Sequence, residues 1–96
     1  VKVIRGSKLQ DKGLNGIWAV GKAAEEEPAL VCLHWNPPTN QAHPHICWVG
    51  KGIIYDTGGL SIKGKTGMPG MKVDMAGSAA VLAAFKRLLN RTMYTH

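Results

Sequence analysis

Four charged residues in the second half of the chain have types and spacings that could do chemistry: Lys51, Asp56, Lys63 and Asp74. Lys51 lies inside a run of apolar residues, and Asp56 follows where that run ends. A buried ammonium group must be paired or must lose its proton. An unprotonated amine can join carboxylates in binding a cation, whose charge favours the neutral amine. The pattern therefore indicates a metal site made of two carboxylates and one amine.

A structural role is an open alternative for each of these residues. Asp74 precedes an Ala-rich segment and could serve only as the N-cap of a helix. Lys51 and Asp56 could form a structural ion pair, and Lys63 could be a solvated loop lysine. Residue types and spacing leave both interpretations open.

The elements that would position these residues can be read from the apolar pattern. Residues 1–4 and 29–35 each predict a strand. Residues 46–55 are almost continuously apolar, which is typical of a strand buried on both faces of an α/β sheet. Residues 57–70 are rich in glycine and predict an irregular loop, and residues 75–89 predict an Ala-rich helix. The order of strand, glycine-rich loop and helix predicts an α/β fold with ligand chemistry at the carboxyl end of the strand.

Two segments resemble the signature of the leucyl (cytosol) aminopeptidase family. Residues 49–63 read VGKGIIYDTGGLSIK, and residues 68–82 read MPGMKVDMAGSAAVL. The insert at residues 64–66 and the residues 68–70 are most similar to the animal "probable aminopeptidase-like" branch of the family. The resemblance covers about residues 1–89 and implies the first, metal-binding part of a mixed-sheet α/β/α catalytic domain. Residues 90–96 no longer resemble the family and are expected to form a divergent tail.

The resemblance also implies a role for individual residues. Lys51 would bind the more exchangeable of two metal ions through its amine, Asp56 would bridge both ions, and Asp74 would bind the exchangeable one. Lys63 would polarise the scissile carbonyl and stabilise the gem-diolate formed from it. Met71 would line the pocket for the first side chain of the substrate.

The resemblance further implies what the protein acts on and binds. The expected activity is release of N-terminal amino acids from peptides, with two divalent ions that could be zinc, manganese or magnesium. The full-length parent is expected to be a homo-oligomer, a hexamer in the family, and to be cytoplasmic.

Two departures from the family pattern affect these expectations. The family's Asp-x-Gly-Gly is replaced by a sequence with Ala76 at the third position, which adds a methyl group beside a ligand. The family's Asp-x-Glu-x-Arg segment, with two more carboxylates and an arginine, is expected beyond His96. These 96 residues by themselves are therefore expected to be inactive. A non-catalytic fragment or isoform that acts as a scaffold or interaction module is the alternative.

Composition argues against two other classes of protein. Hydrophobic residues make up 45% of the chain, but none of their runs is long enough to span a membrane. The net charge of +6 could suit nucleic acid, yet the basic residues are scattered singly and indicate no nucleic-acid surface. The two cysteines are too few for a disulfide scaffold and favour a reducing, intracellular setting.

A nucleotide-binding pattern and a possible zinc site also occur in the sequence, and the residues around each argue against it. Residues 59–66 match the P-loop pattern G-x-x-x-x-G-K-[ST], but Gly67, Pro69 and Gly70 block the helix that a P-loop needs. Cys32-x-His34 and His45-x-Cys47 could face each other across a hairpin and hold zinc. One-residue spacing is atypical of structural zinc sites, so buried cysteines with surface histidines are expected instead.

Overall fold

The computed structural model describes residues 1–36 and 44–93. The chain forms two compact units, Val1–Thr39 and Asn40–His96. Most of the turn-rich stretch at 36–44, and the last three residues of the predicted tail, lie outside the described residues. In the described part of the chain, no helix has the length and apolar character needed to cross a membrane.

Within residues 1–36, the first unit contains two short strands, which pair with each other, and two short helices. The strands β1 (Lys2–Arg5) and β2 (Ala29–Cys32) are antiparallel, with Lys2 opposite Cys32 and Arg5 opposite Ala29. The helices α1 (Lys8–Asp11) and α2 (Asn15–Gly21) lie between them in sequence. Both strands predicted for this region are therefore confirmed, although β2 ends at Cys32 and does not reach residue 35.

The packing of the first unit centres on Leu9 of α1, whose side chain has no exposed surface. Much of β2 remains exposed, and Cys32 is an exposed free thiol. Cys47 in the second unit is also free and exposed. The expectation of buried cysteines is therefore wrong, because nothing in residues 1–36 and 44–93 covers these two positions.

The second unit contains one long helix, α3 (Ala76–Met93), preceded by a 3-10 turn at Met71–Val73. The predicted helix at 75–89 is confirmed, but it starts one residue later and continues to Met93. Alanine has the highest helix propensity, and no Gly or Pro interrupts residues 78–93. The predicted irregular loop at 57–70 is also confirmed, with turns and bends but no helix or strand.

The strand predicted at 46–55 is wrong for this structure. Residues 44–53 have no regular secondary structure, and several of their large apolar side chains are exposed, such as Ile46 at 80% and Val49 at 90%. A strand needs a neighbouring strand to bond its backbone, and the described part of the second unit contains none. The backbone of this segment bonds instead to Ser78 in the first turn of α3 and to Asp74, which lies two residues before the helix.

Candidate metal centre

The apolar segment is fixed beside the start of α3 by two main-chain hydrogen bonds. The N–H of Ser78 donates to the carbonyl of Lys51 at 2.8 Å, and the N–H of Ile53 donates to the carbonyl of Asp74 at 3.0 Å. A Cβ atom on Gly50 would lie 2.6 Å from the carbonyl oxygen of Gly77, so the two backbones approach more closely than side chains allow. This contact places Lys51 next to Asp74, although 23 positions separate them in the sequence.

Lys51 lies between the two carboxylates that the sequence singled out. Its Nζ is 2.7 Å from Oδ2 of Asp74 and 3.3 Å from Oδ2 of Asp56. The carboxylate side chains are 26% and 18% exposed, whereas that of Lys51 is 59% exposed. The structure therefore brings together all three residues predicted to bind metal.

The contact between Lys51 and Asp74 is short but is not a well-formed hydrogen bond. Asp74 Oδ2 is closed off from solvent, and within residues 1–36 and 44–93 it makes no hydrogen bond of good geometry, so the Nζ–Oδ2 approach lacks suitable angles. We therefore treat this contact as an ion pair between the Lys51 ammonium and a carboxylate oxygen closed off from solvent. Burial of such an oxygen is costly, and the ammonium offsets that cost in this structure, as a bound cation would.

The other oxygen of Asp56 is held by the glycine-rich loop. Oδ1 accepts the N–H of Gly58 at 2.7 Å, and the Nζ of Lys63 lies 3.0 Å from the same atom. The hydrogen bond from Lys63, followed by that from Gly58, lowers the pKa of the Asp56 carboxyl well below its ordinary value. Asp56 is therefore deprotonated, as a carboxylate that binds a metal ion has to be. Fixed donors hold it in place.

The four charges of the cluster balance. Lys51 and Lys63 contribute two positive charges, and Asp56 and Asp74 contribute two negative charges. The contact with Asp74 raises the pKa of the Lys51 amine above its ordinary value; partial desolvation opposes this shift, and Asp56 adds to it. A metal ion that used the Lys51 amine would therefore have to displace a proton.

The donor set fits part of a divalent-cation site. It supplies one amine and two partly buried carboxylates, and one of the carboxylate oxygens, Asp74 Oδ2, is closed off from solvent. Within residues 1–36 and 44–93, no group of three or more His, Cys, Asp or Glu side chains could hold a metal ion. Hard divalent cations take six or more oxygen ligands, and zinc takes about four. The cluster therefore supplies some, but not all, of the ligands that a complete metal centre needs.

The two remaining residues of sequence interest lie near the cluster in the chain. Met71 opens the 3-10 turn that leads to Asp74 and is half-buried. Ala76, which replaces a glycine of the family pattern, is exposed in the first turn of α3. The methyl group that this replacement adds beside a ligand therefore belongs to an exposed residue.

Sequence reasoning missed the glycines that set the backbone approach. Gly50 and Gly77 allow the contact between residues 50–52 and α3, because a Cβ on Gly77 would lie 2.9 Å from the Lys51 carbonyl oxygen. The available signal was the pair of glycines around Lys51, together with the Gly-Ser step at the start of an Ala-rich helix. Glycine inside an apolar run often marks close backbone approach.

The P-loop pattern at residues 59–66 has none of the expected structure. Gly64 accepts main-chain hydrogen bonds from Gly67 and Met68, which forms a turn. The next α-helix starts at Ala76, ten residues after Thr66. A P-loop needs a helix N-terminus directly after the Lys-Thr pair, so this segment is not one.

Comparison with known proteins identifies the class to which this site belongs. Residues 1–95 match the sequence profile described as the cytosol aminopeptidase family, catalytic domain. The chain therefore belongs to this family of hydrolases.

Individual relatives agree with this assignment. The chain is 56% identical over 89 residues to "Probable aminopeptidase NPEPL1" of Mus musculus, covering 93% of this chain and 17% of the relative. It is 51% identical over 89 residues to "Leucine aminopeptidase 1" of Caenorhabditis elegans, covering 93% of this chain and 18% of the relative. The predicted family resemblance is confirmed.

A solved structure supports the fold. The structure of Caenorhabditis elegans leucine aminopeptidase superposes with a TM-score of 0.75 at 53% sequence identity, covering 88% of this chain and 17% of that chain. The α/β class is therefore confirmed, with one antiparallel strand pair and helices in the part of the chain that the structure describes. This chain spans less than a fifth of the length of these two relatives.

Proposed function

We propose that this chain supplies the first half of a two-metal centre that releases N-terminal amino acids from peptides. The observation that carries the proposal is the cluster in which Lys51, Asp56 and Asp74 meet, with Asp74 Oδ2 closed off from solvent beside the Lys51 ammonium. The family assignment supports the aminopeptidase class. The two-metal chemistry rests on the donors of this cluster.

Lys51, Asp56 and Asp74 would hold the cations. When bound, two divalent ions would supply an anchor for the free amine of the peptide and an activated water for hydrolysis. Asp56 suits a position between two cations because its two oxygens face different sides, Oδ2 toward Lys51 and Oδ1 toward Lys63. The donor set does not choose among zinc, manganese and magnesium.

Lys63 would act on the peptide and not on the cations. Its Nζ lies 3.0 Å from Asp56 Oδ1 and its side chain is 28% exposed, so it lies beside the cluster and is partly accessible. A fixed ammonium can donate to the oxygen of the scissile carbonyl and stabilise the charge that develops there. Met71 would contact the first side chain of the peptide.

A scaffold or interaction module is the second candidate function. The observation that favours it is the number of donors, because one amine and two carboxylates are fewer than a complete metal centre needs. The exposed apolar residues at 46–49 also suit a surface that associates with other protein. Under this proposal, residues 1–96 form part of a catalytic domain but carry no activity by themselves.

The remaining expectations concern the whole protein. A homo-oligomer, a hexamer in the family, and a cytoplasmic location remain predictions from the family resemblance. Peptide substrates and two divalent ions belong to the proposed function.

The proposal is tested by comparing this chain with a protein of the relatives' length that contains it, termed here the full-length protein. We expect the full-length protein to bind two divalent ions per chain and to hydrolyse a leucine amide. Asp56→Asn should remove both properties, since the substitution deletes a charged oxygen of the cluster. Asp11→Asn, at an exposed position in α1, is the matched control and should change neither. Normal metal content and turnover in Asp56→Asn would favour the scaffold function.

A further inference from the structure

Thr57 makes two of the hydrogen bonds that close the loop between Asp56 and Lys63. The N–H of Lys63 donates to the carbonyl oxygen of Thr57 at 3.1 Å, which joins the two ends of the loop. The hydroxyl of Thr57 accepts the N–H of Gly59 at 3.2 Å, which fixes the first turn. Thr57 therefore bonds to both arms of the loop that carries Lys63.

The conformation of this loop is one that a free chain rarely adopts. Gly58 and Gly59 have φ angles of 70° and 118°, and Ser61 has a φ of 56°. A non-glycine residue in the left-handed region is uncommon and persists where its surroundings hold it. The two hydrogen bonds of Thr57 hold this loop from within, together with the contacts that Gly58 and Lys63 make with Asp56.

The closed loop places the Lys63 ammonium at one defined point. A Cβ atom on Gly58 would lie 3.2 Å from the Lys63 Nζ, so the ammonium packs over a residue without a side chain. From there, Nζ reaches Oδ1 of Asp56 at 3.0 Å. A shift of the loop end at Lys63 would therefore move the ammonium relative to the carboxylate.

We propose that Thr57 is a positioning residue for Lys63, with its hydroxyl setting where the ammonium stands. This inference rests on the proposed function, in which Lys63 acts on the scissile carbonyl. The bonds of Thr57 are to the backbone of its own loop. Its effect on catalysis therefore passes through the position of Lys63 and not through the substrate or the cations.

The test compares Thr57→Val with Thr57→Ser in the full-length protein. Valine keeps the branched shape and removes the acceptor, whereas serine keeps the hydroxyl. We expect Thr57→Val to lower kcat by roughly 10- to 100-fold, because small misplacements of a reacting group are costly, with KM and metal content unchanged. Thr57→Ser should remain close to the unmodified protein. Amide hydrogen exchange at Gly59 should be faster in Thr57→Val and nearly normal in Thr57→Ser.

The outcomes separate this inference from the proposed function. Lys63→Ala is measured alongside, and a loss of kcat there with a normal kcat in Thr57→Val overturns the inference and leaves the proposed function standing. An unchanged kcat in Lys63→Ala removes the role of Lys63 on the scissile carbonyl, and this inference with it, and leaves the metal-binding part of the proposed function standing. Equal losses in Thr57→Val and Thr57→Ser, or loss of metal from Thr57→Val, would also overturn the positioning role. Thr57→Ala replaces Thr57→Val if the valine variant does not fold, with the same expectations.

Discussion

The Lys63 ammonium lies 3.0 Å from Oδ1 of Asp56, the same oxygen that accepts the N–H of Gly58. The other oxygen, Oδ2, faces Lys51 at 3.3 Å. Each oxygen of one carboxylate thus has its own cationic neighbour. A carboxylate that bridges two cations also directs one oxygen toward each of them. In this structure, the two ammonium groups balance the negative charge of Asp56, which bound cations would otherwise balance.

The 96-residue chain by itself should bind divalent ions weakly and hydrolyse nothing. Two carboxylates and one amine leave most of a cation's coordination to water, so we expect a dissociation constant for Mn²⁺ that is roughly millimolar or higher. Electron paramagnetic resonance of free Mn²⁺ would measure this, with release of leucine from a leucine amide as the activity assay. Asp74→Asn should abolish the residual binding, and Asp11→Asn should retain it. Metal-dependent turnover by the chain alone would contradict the expected role of additional ligands.

Replacement of Gly50 should loosen the contact that brings Lys51 to Asp74. A Cβ in Gly50→Ala would lie 2.6 Å from the backbone oxygen of Gly77, and the backbone has to shift to admit it. Overpacking of this kind costs about 1–3 kcal/mol. Amide exchange at Ser78, whose N–H bonds to Lys51, should therefore accelerate roughly 5- to 150-fold.

The control for that experiment is Gly64→Ala. Nothing lies within 4 Å of a Cβ at this position, and the residue does not have a positive φ angle. Amide exchange at Ser78 should be unchanged in this variant. Equal acceleration in both variants would mean that the effect comes from glycine replacement in general and not from the close backbone approach.

The sequence predicted the long helix and the glycine-rich loop because their signals are local. Alanine propensity defines α3, and clustered Gly and Pro define the loop at 57–70. The segment at 46–55 was predicted wrongly because strand formation depends on a pairing partner, which an apolar pattern does not supply. The meeting of Lys51, Asp56 and Asp74 was predicted from the family resemblance.

The division of hydrogen bonds within the site could not be read from the sequence. The bond from Gly58 to Asp56 and the bonds of Thr57 depend on positive φ angles at Gly58, Gly59 and Ser61. Paired glycines indicate that such angles are allowed, but a serine in the left-handed region carries no sequence signal of its own. The oxygen to which Lys63 binds follows from that loop conformation.

Met71 should affect which peptides are used and leave metal binding unchanged. It is half-buried at the start of the 3-10 turn that ends at Asp74. Met71→Ala in the full-length protein should change the ratio of kcat/KM between leucine and alanine substrates by about 10- to 200-fold, the range found for small changes in apolar pockets. Met68→Ala is the matched control, because Met68 is also half-buried but has no proposed contact with substrate. An equal change in both variants would contradict the proposal that Met71 lines the substrate pocket.

The two lysines of the cluster should respond differently to the same substitution in the full-length protein. Lys51 contacts both Asp56 and Asp74 and is proposed to bind metal, so Lys51→Ala should deplete the exchangeable metal. Lys63 contacts Oδ1 of Asp56 and is proposed to act on the scissile carbonyl. Lys63→Ala should therefore keep nearly normal metal content and lower kcat by about 10²–10³, the usual cost of losing one preorganised donor.

Metal analysis by mass spectrometry, together with steady-state kinetics on a leucine amide, measures both effects on the same preparations. Lys65→Ala is the control for loss of a lysine, since Lys65 is an exposed residue of the same loop and should alter neither quantity. If both lysines of the cluster had only structural roles, Lys63→Ala would keep its kcat and Lys51→Ala would lose stability. If Lys63→Ala lost metal and Lys51→Ala retained it, the two roles would be assigned the wrong way round. A loss of kcat in Lys63→Ala that addition of metal restored would likewise count against the electrophilic role, because a donor to the carbonyl oxygen cannot be replaced by filling the metal sites.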